Sequence, residues 1–214
     1  MRVVTINPSD PREDRMAQAV AAIQEGGLVA LPTETFYALA VDAFNVAAVE
    51  RVVALKRAPA DSPVLLLIAD PGQVETVADT VPEKFHELTE LFWPGPLTLV
   101  VPAAGRVPTR VTAGTGKVAV RVPGLPLPRR IARALGRPIT GPSANLHGHP
   151  PCRTAVDVVE VFGEALDMVL DGGPTPGGKP STILDLSGSE PRVLREGLLP
   201  VSSLEPFLPE LKTS

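Results

Sequence analysis

Four short segments of this 214-residue chain place hydroxyl, amide or cationic side chains directly beside apolar runs. They are residues 31–35 (LPTET), 141–145 (GPSAN), 181–185 (STILD) and 193–197 (VLREG). Buried strands that open into a cleft have this pattern, because side chains at strand ends reach a ligand while the strands hold them still. No segment supplies a Cys or His nucleophile, so these groups favour binding an anion over forming a covalent intermediate.

Arg121 lies inside an apolar strand pattern, VAVRV at 118–122. Alternation puts the valines on one face and Ala119 with Arg121 on the other. If that face meets solvent, the arginine is an ordinary exposed residue. If it meets a cleft, its planar guanidinium suits a bidentate pair with a carboxylate. The segment 32–35 is similarly ambiguous, since it is either a local turn or the polar rim of a small ligand site.

The segment 141–145 also has two interpretations. It is either an ordinary turn or a strand-end loop whose backbone N–H groups and Ser143 hydroxyl bind a phosphate, with Asn145 reading a base or ribose. Neither a Walker sequence nor a GxGxxG fingerprint occurs in the chain.

Two further stretches carry weaker signals. The glycine-rich residues 172–178 match no phosphate-binding template and are predicted to form a flexible lid. His147 and His149 precede Cys152, but without a fourth ligand nearby this spacing favours a solvated loop over a metal site.

The composition fits one domain with an aliphatic core. Hydrophobic residues make up 44% of the chain and aromatic residues only 4%. A net charge of −4 disfavours a protein that coats nucleic acid, since that binding depends on an excess of Lys and Arg. The single cysteine excludes an internal disulfide, and no stretch approaches the ~20 apolar residues that span a bilayer. A cytoplasmic protein with no membrane partner is therefore predicted.

Helical and strand patterns alternate in the first half of the chain, and closely spaced strands follow near its end. This order predicts an α/β fold with a mixed, twisted sheet. The predicted helices cover about 10–25, 45–57, 72–79, 82–92, 128–136 and 154–162. The predicted strands cover 28–31, 64–68, 97–101, 118–122, 139–140, 168–170, 181–186 and 192–195. Residues 102–116 are predicted to be a loop and 198–214 a short exposed tail.

Two of these helices carry specific expectations. The helix capped by Asn45 is predicted to bury a stripe of valines, namely Val46, Val49, Val52 and Val53. The helix at 128–136 is predicted to expose three arginines, namely Arg129, Arg130 and Arg133.

Taken in order, the polar segments resemble the YrdC family of threonylcarbamoyladenylate synthases over roughly residues 12–197. The matching stretches are PTET (32–35) with Tyr37, Lys56, Pro59 and Pro63, then WPGPLT (93–98), VAVR (118–121), SAN (143–145), STI (181–183) and LREG (194–197). Each stretch alone is weak evidence for the family, whereas the order that they share is specific to it. The resemblance implies a single YrdC-like domain spanning 1–214, in the short bacterial form, with a twisted mixed sheet flanked by helices around a large open cavity.

The resemblance also implies substrates and site residues. The substrates would be L-threonine, bicarbonate or CO2, and ATP with Mg²⁺, with no protein side chain ligating the metal. Threonine would be held by Thr35, Arg121 and Ser181, with Arg121 on its carboxylate. ATP would be faced by Lys56, Ser62, Lys117, Ser143, Asn145 and Arg195.

The implied reaction is carboxylation of the threonine amine to a carbamate, which attacks the α-phosphorus and expels pyrophosphate. Because the carbamate is already an anion, no acid–base residue or nucleophile is expected. Lys56, Arg121 and Arg195 would act electrostatically. A separate tRNA threonylcarbamoyl transferase complex would then pass the product to position 37 of tRNA.

The chain departs from the family pattern at three places, one of which is Tyr37-Ala38-Leu39-Ala40 in place of the usual Tyr-Gly-Leu-Gly. The family commonly has Lys-x-Arg-Pro where this chain has Lys56 followed by Arg57, Ala58 and Pro59, so Ala58 occupies the arginine position. A histidine frequent in the following strand aligns near Leu67. These changes concern contacts to the phosphates and turnover rather than the fold.

Two alternative functions remain open from the sequence. One is a binding module for double-stranded RNA or tRNA, in which the arginines of the 128–136 helix contact phosphates. The other is a diverged paralogue that uses another amino acid or carbamoyl donor, an alternative supported by Ala58 and Leu67.

Overall fold

The computed structural model describes residues 1–213 of the chain. Within these residues, eleven strands and six α-helices alternate with short 3₁₀ turns. The strands are β1 (Arg2–Thr5), β2 (Val29–Pro32), β3 (Tyr37–Ala40), β4 (Leu66–Leu67), β5 (Leu97–Pro102), β6 (Lys117–Arg121), β7 (Ile139–Thr140), β8 (Met168–Asp171), β9 (Thr182–Asp185), β10 (Arg192–Arg195) and β11 (Lys212–Thr213). The helices are α1 (Glu13–Gln24), α2 (Val46–Lys56), α3 (Lys84–Phe92), α4 (Thr109–Thr112), α5 (Pro126–Leu135) and α6 (Ala155–Phe162).

The strands form two mixed sheets, as the α/β prediction requires. The four-stranded sheet has the order β1-β8-β2-β3, and only its β2–β3 pair is antiparallel. The seven-stranded sheet has the order β11-β10-β9-β5-β6-β4-β7 and alternates parallel and antiparallel pairs. Isolated bridges from Ala38 to Ser143 and from Asp42 to Ile139 join the two sheets at β3.

The core is aliphatic, which confirms the expectation from composition. Tyr37 and Phe85 are the only aromatic residues among the largest fully buried side chains of the described chain. One apolar cluster surrounds the seven-stranded sheet, and a second lies between α1, α5 and the four-stranded sheet. The buried sheets leave the strand ends as the places where polar side chains reach a cavity.

The helix boundaries follow from capping and from stripe periodicity. The Asn45 side chain accepts a hydrogen bond from the Ala48 N–H at the start of α2, and α6 begins with a complete capping box between Thr154 and Asp157. The predicted valine stripe of α2 is confirmed except at its first member. Val46 is 49% exposed, because it lies in the first turn, away from the sheet.

Three other expectations are corrected. Residues 198–214 were expected to be an exposed tail, but Leu204 and Leu208 are buried in the core and β11 pairs with β10. Only Leu66–Leu67 of the predicted strand 64–68 joins the ladder. The predicted loop 102–116 contains α4, whose single turn supports β6. In the tail and in α4, apolar residues close to Pro or Gly are buried against elements that the local sequence pattern does not specify.

No helix among residues 1–213 has the length and apolar character that crossing a bilayer requires.

Candidate active site

A cavity of about 560 Å³ lies where strand ends of the two sheets meet. Its polar lining comes from the β2–β3 turn, from β6, from the segment after β7, and from β9 and β10. The side chains of its polar lining are those of Thr33, Thr35, Thr98, Thr115, Lys117, Arg121, Ser143, Ser181, Asp185 and Arg195. Apolar residues such as Leu65, Val100 and Ile183 complete the wall. A site of this size, with few polar groups on an apolar background, is typical of small-ligand binding.

Arg121 faces this cavity rather than bulk solvent. The alternation along β6 holds, since Ala119 and Arg121 both line the hollow while Val118 and Val120 are buried behind it. The arginine side chain is only 4% exposed. Its Nε donates to the Gly95 carbonyl oxygen at 3.1 Å, and its Nη2 donates to Glu34 Oε1.

These two contacts orient the guanidinium. They occupy two of its five N–H donors, and within the described residues Nη1 makes no hydrogen bond. The Nη1 edge therefore stays available for a ligand oxygen, in a side chain whose position is already set.

Glu34 is the functional residue that sequence reasoning did not assign. Burial raises the pKa of its carboxyl group, but the charge of Arg121 and the nearby Gly124 backbone N–H outweigh burial, so the pKa is lowered overall. Its second oxygen, Oε2, is buried without a hydrogen-bond partner in the described structure. A carboxylate with an unsatisfied oxygen contributes little net stability, so its evident effect is to orient Arg121.

Hydroxyl groups form the neighbouring wall. The Thr33 Oγ1 donates to the Phe36 carbonyl oxygen at 2.8 Å and lies 3.0 Å from Thr35 Oγ1, which holds the tight turn after β2. On the opposite side, Ser181 Oγ lies 2.9 Å from Thr98 Oγ1. Thr98 is a second lining residue that received no role from sequence, although it ends the matching stretch WPGPLT (93–98).

Arg195 shares the hollow with Arg121. Its Nη2 donates to the Ser181 carbonyl oxygen at 2.9 Å, and its Nε donates to the same oxygen at 3.3 Å. Burial first, and then repulsion from Arg121, lower the pKa of Arg195. Two guanidiniums from distant strands thus lie near enough to repel each other, which creates a site for anionic ligands.

Lys117 lies at the far end of the cavity in an ion pair. Its Nζ is 2.9 Å from Asp185 Oδ2. Burial raises the pKa of Asp185, but hydrogen bonds from Ser187 and Lys117 outweigh burial and lower it overall. The ammonium is therefore held by a carboxylate before any ligand arrives.

A second cavity of about 290 Å³ adjoins the first. The two share Pro63, Pro142, Ser143 and Arg195, so they form one continuous hollow. The polar residues of the second cavity are Lys56, Ser62, Ser143, Asn145, His147 and Arg195, and among the described residues that line it none is acidic.

Lys56 projects from the last turn of α2 into this second cavity. Its Nζ donates to the carbonyl oxygens of Ser143 and Asn145, the latter at 2.9 Å, and to the Asn145 side-chain Oδ1 at 3.1 Å. Burial lowers its pKa to about 8. The ammonium therefore braces the loop after β7 while keeping a positive charge at neutral pH.

The structure brings together every residue that the sequence nominated. Thr35, Lys117, Arg121 and Ser181 line the first cavity; Lys56, Ser62 and Asn145 line the second; Ser143 and Arg195 line both.

The glycine-rich loop 172–178 is tied to the site by hydrogen bonds, in contrast to the flexible lid expected from sequence. Tyr37 Oη donates to the Gly173 carbonyl oxygen at 2.8 Å, and the Gly177 N–H donates to the Thr35 carbonyl oxygen at 2.9 Å. Thr175 is buried and bonded to Arg153. The loop therefore braces the turn that carries Thr35.

The structure shows where two of the departures from the family pattern, Ala58 and Leu67, lie. Ala58 lines the second cavity, whereas Arg57 is exposed in a left-handed conformation outside both cavities and does not replace an arginine at 58. Leu67 is fully buried on β4, and a Cβ at Gly141 would overlap its side chain. Glycine at 141 is therefore required by the leucine beneath it.

The arginines of α5 are less available than predicted. Arg130 pairs with Glu13, and Arg133 pairs with Asp70 at 3.0 Å. Arg129 and Arg130 are only partly exposed, while Arg133 is exposed. Acidic neighbours thus neutralise much of the basic face that an RNA phosphate backbone would need.

Comparisons with known proteins agree with this geometry. The Sua5/YciO/YrdC family model, described as "Telomere recombination", matches residues 21–197. The chain is 41% identical over 194 residues to the threonylcarbamoyl-AMP synthase of Pyrococcus abyssi, covering 91% of this chain and 57% of that protein. It is 39% identical over 201 residues to that of Bacillus subtilis, covering 94% and 57%.

A solved structure of Pyrococcus abyssi Sua5 complexed with L-threonine has the same fold, with a TM-score of 0.95 at 37% identity. The match covers 100% of this chain and 63% of that one. The chain thus spans 57% of the length of the two curated relatives above.

Proposed function

The chain belongs to the Sua5/YciO/YrdC family, and on that premise we propose that it is a threonylcarbamoyl-AMP synthase. This nucleotidyltransferase would convert L-threonine, bicarbonate or CO2, and ATP into L-threonylcarbamoyl-AMP and pyrophosphate. One observation carries the proposal: Arg121 and Arg195, from strands far apart in sequence, face one hollow that adjoins a second cavity, and no carboxylate is among the lining residues of that second cavity within 1–213.

The first cavity suits the amino acid. Arg121 has an unoccupied Nη1 edge in a fixed orientation, which is the geometry that a carboxylate accepts. The hydroxyls of Thr35 and Ser181 lie on the walls beside it and would bind the polar groups of threonine. The Sua5 relative complexed with L-threonine supports the same assignment here.

The second cavity suits the phosphates of ATP. Lys56 and Arg195 supply positive charge, while Ser62, Ser143 and Asn145 supply hydrogen-bonding groups. Lys117 would contact the nucleotide from the far end of the first cavity. Since Arg195 and Ser143 line both cavities, the α-phosphate would lie at their junction, next to the bound amino acid.

Magnesium would enter as part of the substrate. The described residues contain no group of three His, Cys, Asp or Glu side chains arranged to hold a metal, and Asp185 is already paired with Lys117. Mg²⁺ prefers phosphate oxygens and water over a full protein cage, so the bound species would be Mg²⁺–ATP.

The reaction needs positioning more than proton transfer. Threonine's neutral amine attacks the carbon of CO2, and its nitrogen releases a proton to solvent as the carbamate forms. Attack on bicarbonate gives the same carbamate with loss of water. A carbamate oxygen then attacks the α-phosphorus, and the bond to the β-phosphate oxygen breaks to release pyrophosphate. Arg121 holds the carboxylate, and Lys56 with Arg195 stabilises negative charge that passes to the leaving group.

The product is a mixed anhydride of a carbamate and a phosphate, which is a reactive acyl donor. A separate transferase complex would consume it to form threonylcarbamoyladenosine at position 37 of tRNA. Direct RNA binding has little structural support, because two of the three α5 arginines, Arg130 and Arg133, are paired with acidic residues.

Pyrophosphate release from ATP tests the proposal, with threonine and bicarbonate omitted in turn. We expect release only when both are present. The same assay with serine, valine and other amino acids tests the diverged-paralogue alternative. Release that is indifferent to threonine would refute the proposed function.

A further inference from the structure

The second cavity contains one basic residue to which the proposed reaction gives no role. His147 lines this cavity together with Lys56 and Arg195. It lies in the polar loop after β7, where sequence reasoning expected only a solvated histidine. Because no carboxylate among the described lining residues faces it there, its imidazole lies in an environment that attracts anions.

The two cations of this cavity, Lys56 and Arg195, already use hydrogen-bond donors within the protein. The Lys56 ammonium has three donors, and three oxygen atoms of Ser143 and Asn145 accept from it. Arg195 shares two of its donors with the Ser181 carbonyl oxygen. A polyphosphate in this cavity thus needs further hydrogen-bond donors.

The position of His147 is fixed by the backbone. Its N–H donates to the Lys56 carbonyl oxygen at 2.7 Å, which attaches the loop to the end of α2. The Asn145 side chain donates to the carbonyl oxygens of Leu146 and His149 at 2.8 and 2.9 Å. These bonds hold the backbone on both sides of His147, while the residue itself is exposed to solvent.

Ala58 lines the same cavity as His147, two residues after the carbonyl group that anchors the histidine backbone. Its methyl group offers no hydrogen-bond donor and fills little space, so donors for a ligand must come from other lining residues, His147 among them.

We propose that His147 is a ligand of the ATP polyphosphate, contributing the donor that position 58 lacks. The identity of the anion rests on the proposed function, whereas the anion site itself rests on the lining of the second cavity.

The test is equilibrium binding of ATP, and separately of pyrophosphate, to His147→Ala and to the wild type. His149→Ala is the matched control, since this histidine lies in the same loop but lines neither cavity. We expect His147→Ala to weaken both ligands about tenfold, as loss of one charge-assisted hydrogen bond implies. His149→Ala should stay within twofold of the wild type.

A second substitution tests whether the lost affinity of His147→Ala can be restored. In the His147→Ala background, Ala58→Arg places a guanidinium at the edge of the same cavity and should restore most of the affinity. Equal affinities for His147→Ala, His149→Ala and the wild type would overturn the inference, as would a wild type that binds neither ATP nor pyrophosphate. Threonine-independent pyrophosphate release, with the His147→Ala effect intact, would overturn only the proposed function.

Discussion

The two halves of the hollow hold their cations in opposite ways. In the first cavity, Arg121 pairs with Glu34 and Lys117 pairs with Asp185, so each cation has a carboxylate partner. In the second, Lys56 is held only by carbonyl oxygens, and Arg195 at the junction likewise binds a backbone carbonyl.

This difference has a direct electrostatic consequence. A carboxylate partner fixes the direction of a guanidinium but neutralises most of its charge, which suits recognition of one small carboxylate. Backbone dipoles fix an ammonium without neutralising it, which leaves net positive charge for a polyanion. Under the proposed function, this difference would direct the amino acid to the first cavity and the triphosphate to the second.

The largest expected effect comes from Arg121→Ala. We expect threonine affinity to fall about 100-fold, since hydrogen bonds to charged groups contribute roughly 1.5–3 kcal/mol each. ATP affinity should change far less. Steady-state pyrophosphate release, measured as a function of threonine and of ATP, separates the two effects.

The same substitution should also destabilise the fold. It leaves the Glu34 carboxylate buried without its partner, which costs about 3–5 kcal/mol in comparable cases. Adding Glu34→Gln should recover part of that loss in denaturant unfolding. A double variant no more stable than Arg121→Ala would show that the ion pair is not the cause.

The lowered pKa of Lys56 predicts that ATP binding in the second cavity depends on pH. Burial lowers the pKa of Lys56 to about 8, so its ammonium is lost as the pH rises through that value. ATP affinity of the wild type should therefore fall several-fold between pH 7 and 9, since an ion pair of ordinary strength is lost. Lys56→Met should bind ATP weakly with no such fall. Calorimetry across this range measures both, and a parallel decline in the variant would contradict the assignment.

Substitutions of Glu34 test whether threonine binding depends on the orientation of the Arg121 guanidinium or on the charge of the carboxylate beside it. Glu34→Ala removes the acceptor for Arg121 Nη2 and should weaken threonine binding a few-fold, because one charge-assisted hydrogen bond orients the guanidinium. Glu34→Gln keeps an oxygen acceptor and should retain most of the affinity. Identical losses in the two variants would point to charge alone.

The smallest effect should come from the α5 face. Arg130→Ala combined with Arg133→Ala removes two cations that are already paired with acidic residues. Exposed pairs contribute about 0–1 kcal/mol, so pyrophosphate release and stability should remain close to wild type. RNA affinity, measured by filter binding at several salt concentrations, should be weak in both proteins. Strong RNA binding lost in the double variant would revive the RNA-binding alternative.

Sequence reasoning succeeded where a residue's local pattern decides its place. The alternation around Arg121 correctly put Ala119 and Arg121 on one face, which the structure shows to line the cavity, and the Asn45 and Thr154 caps marked where α2 and α6 begin. Most nominated site residues came from strand-end segments whose order matched one family, whereas Lys56 lies at the end of α2 and Ser62 in the loop before β4.

Sequence reasoning failed where a residue's interaction partner is distant in sequence. Glu34 acquires its role from an arginine 87 residues away, and the buried Leu204 joins the core only because other elements cover it. The loop 172–178 is glycine-rich, yet bonds to Tyr37 and Thr35 hold it in place.

The sequence by itself determined most of the strands, the starts of α2 and α6 and the chemical groups available at strand ends, because backbone periodicity and capping are local properties. Only the tertiary structure decided which cation meets a carboxylate and which meets a carbonyl oxygen. That choice depends on distances between segments far apart along the chain, and it sets the charge left in each cavity for a ligand.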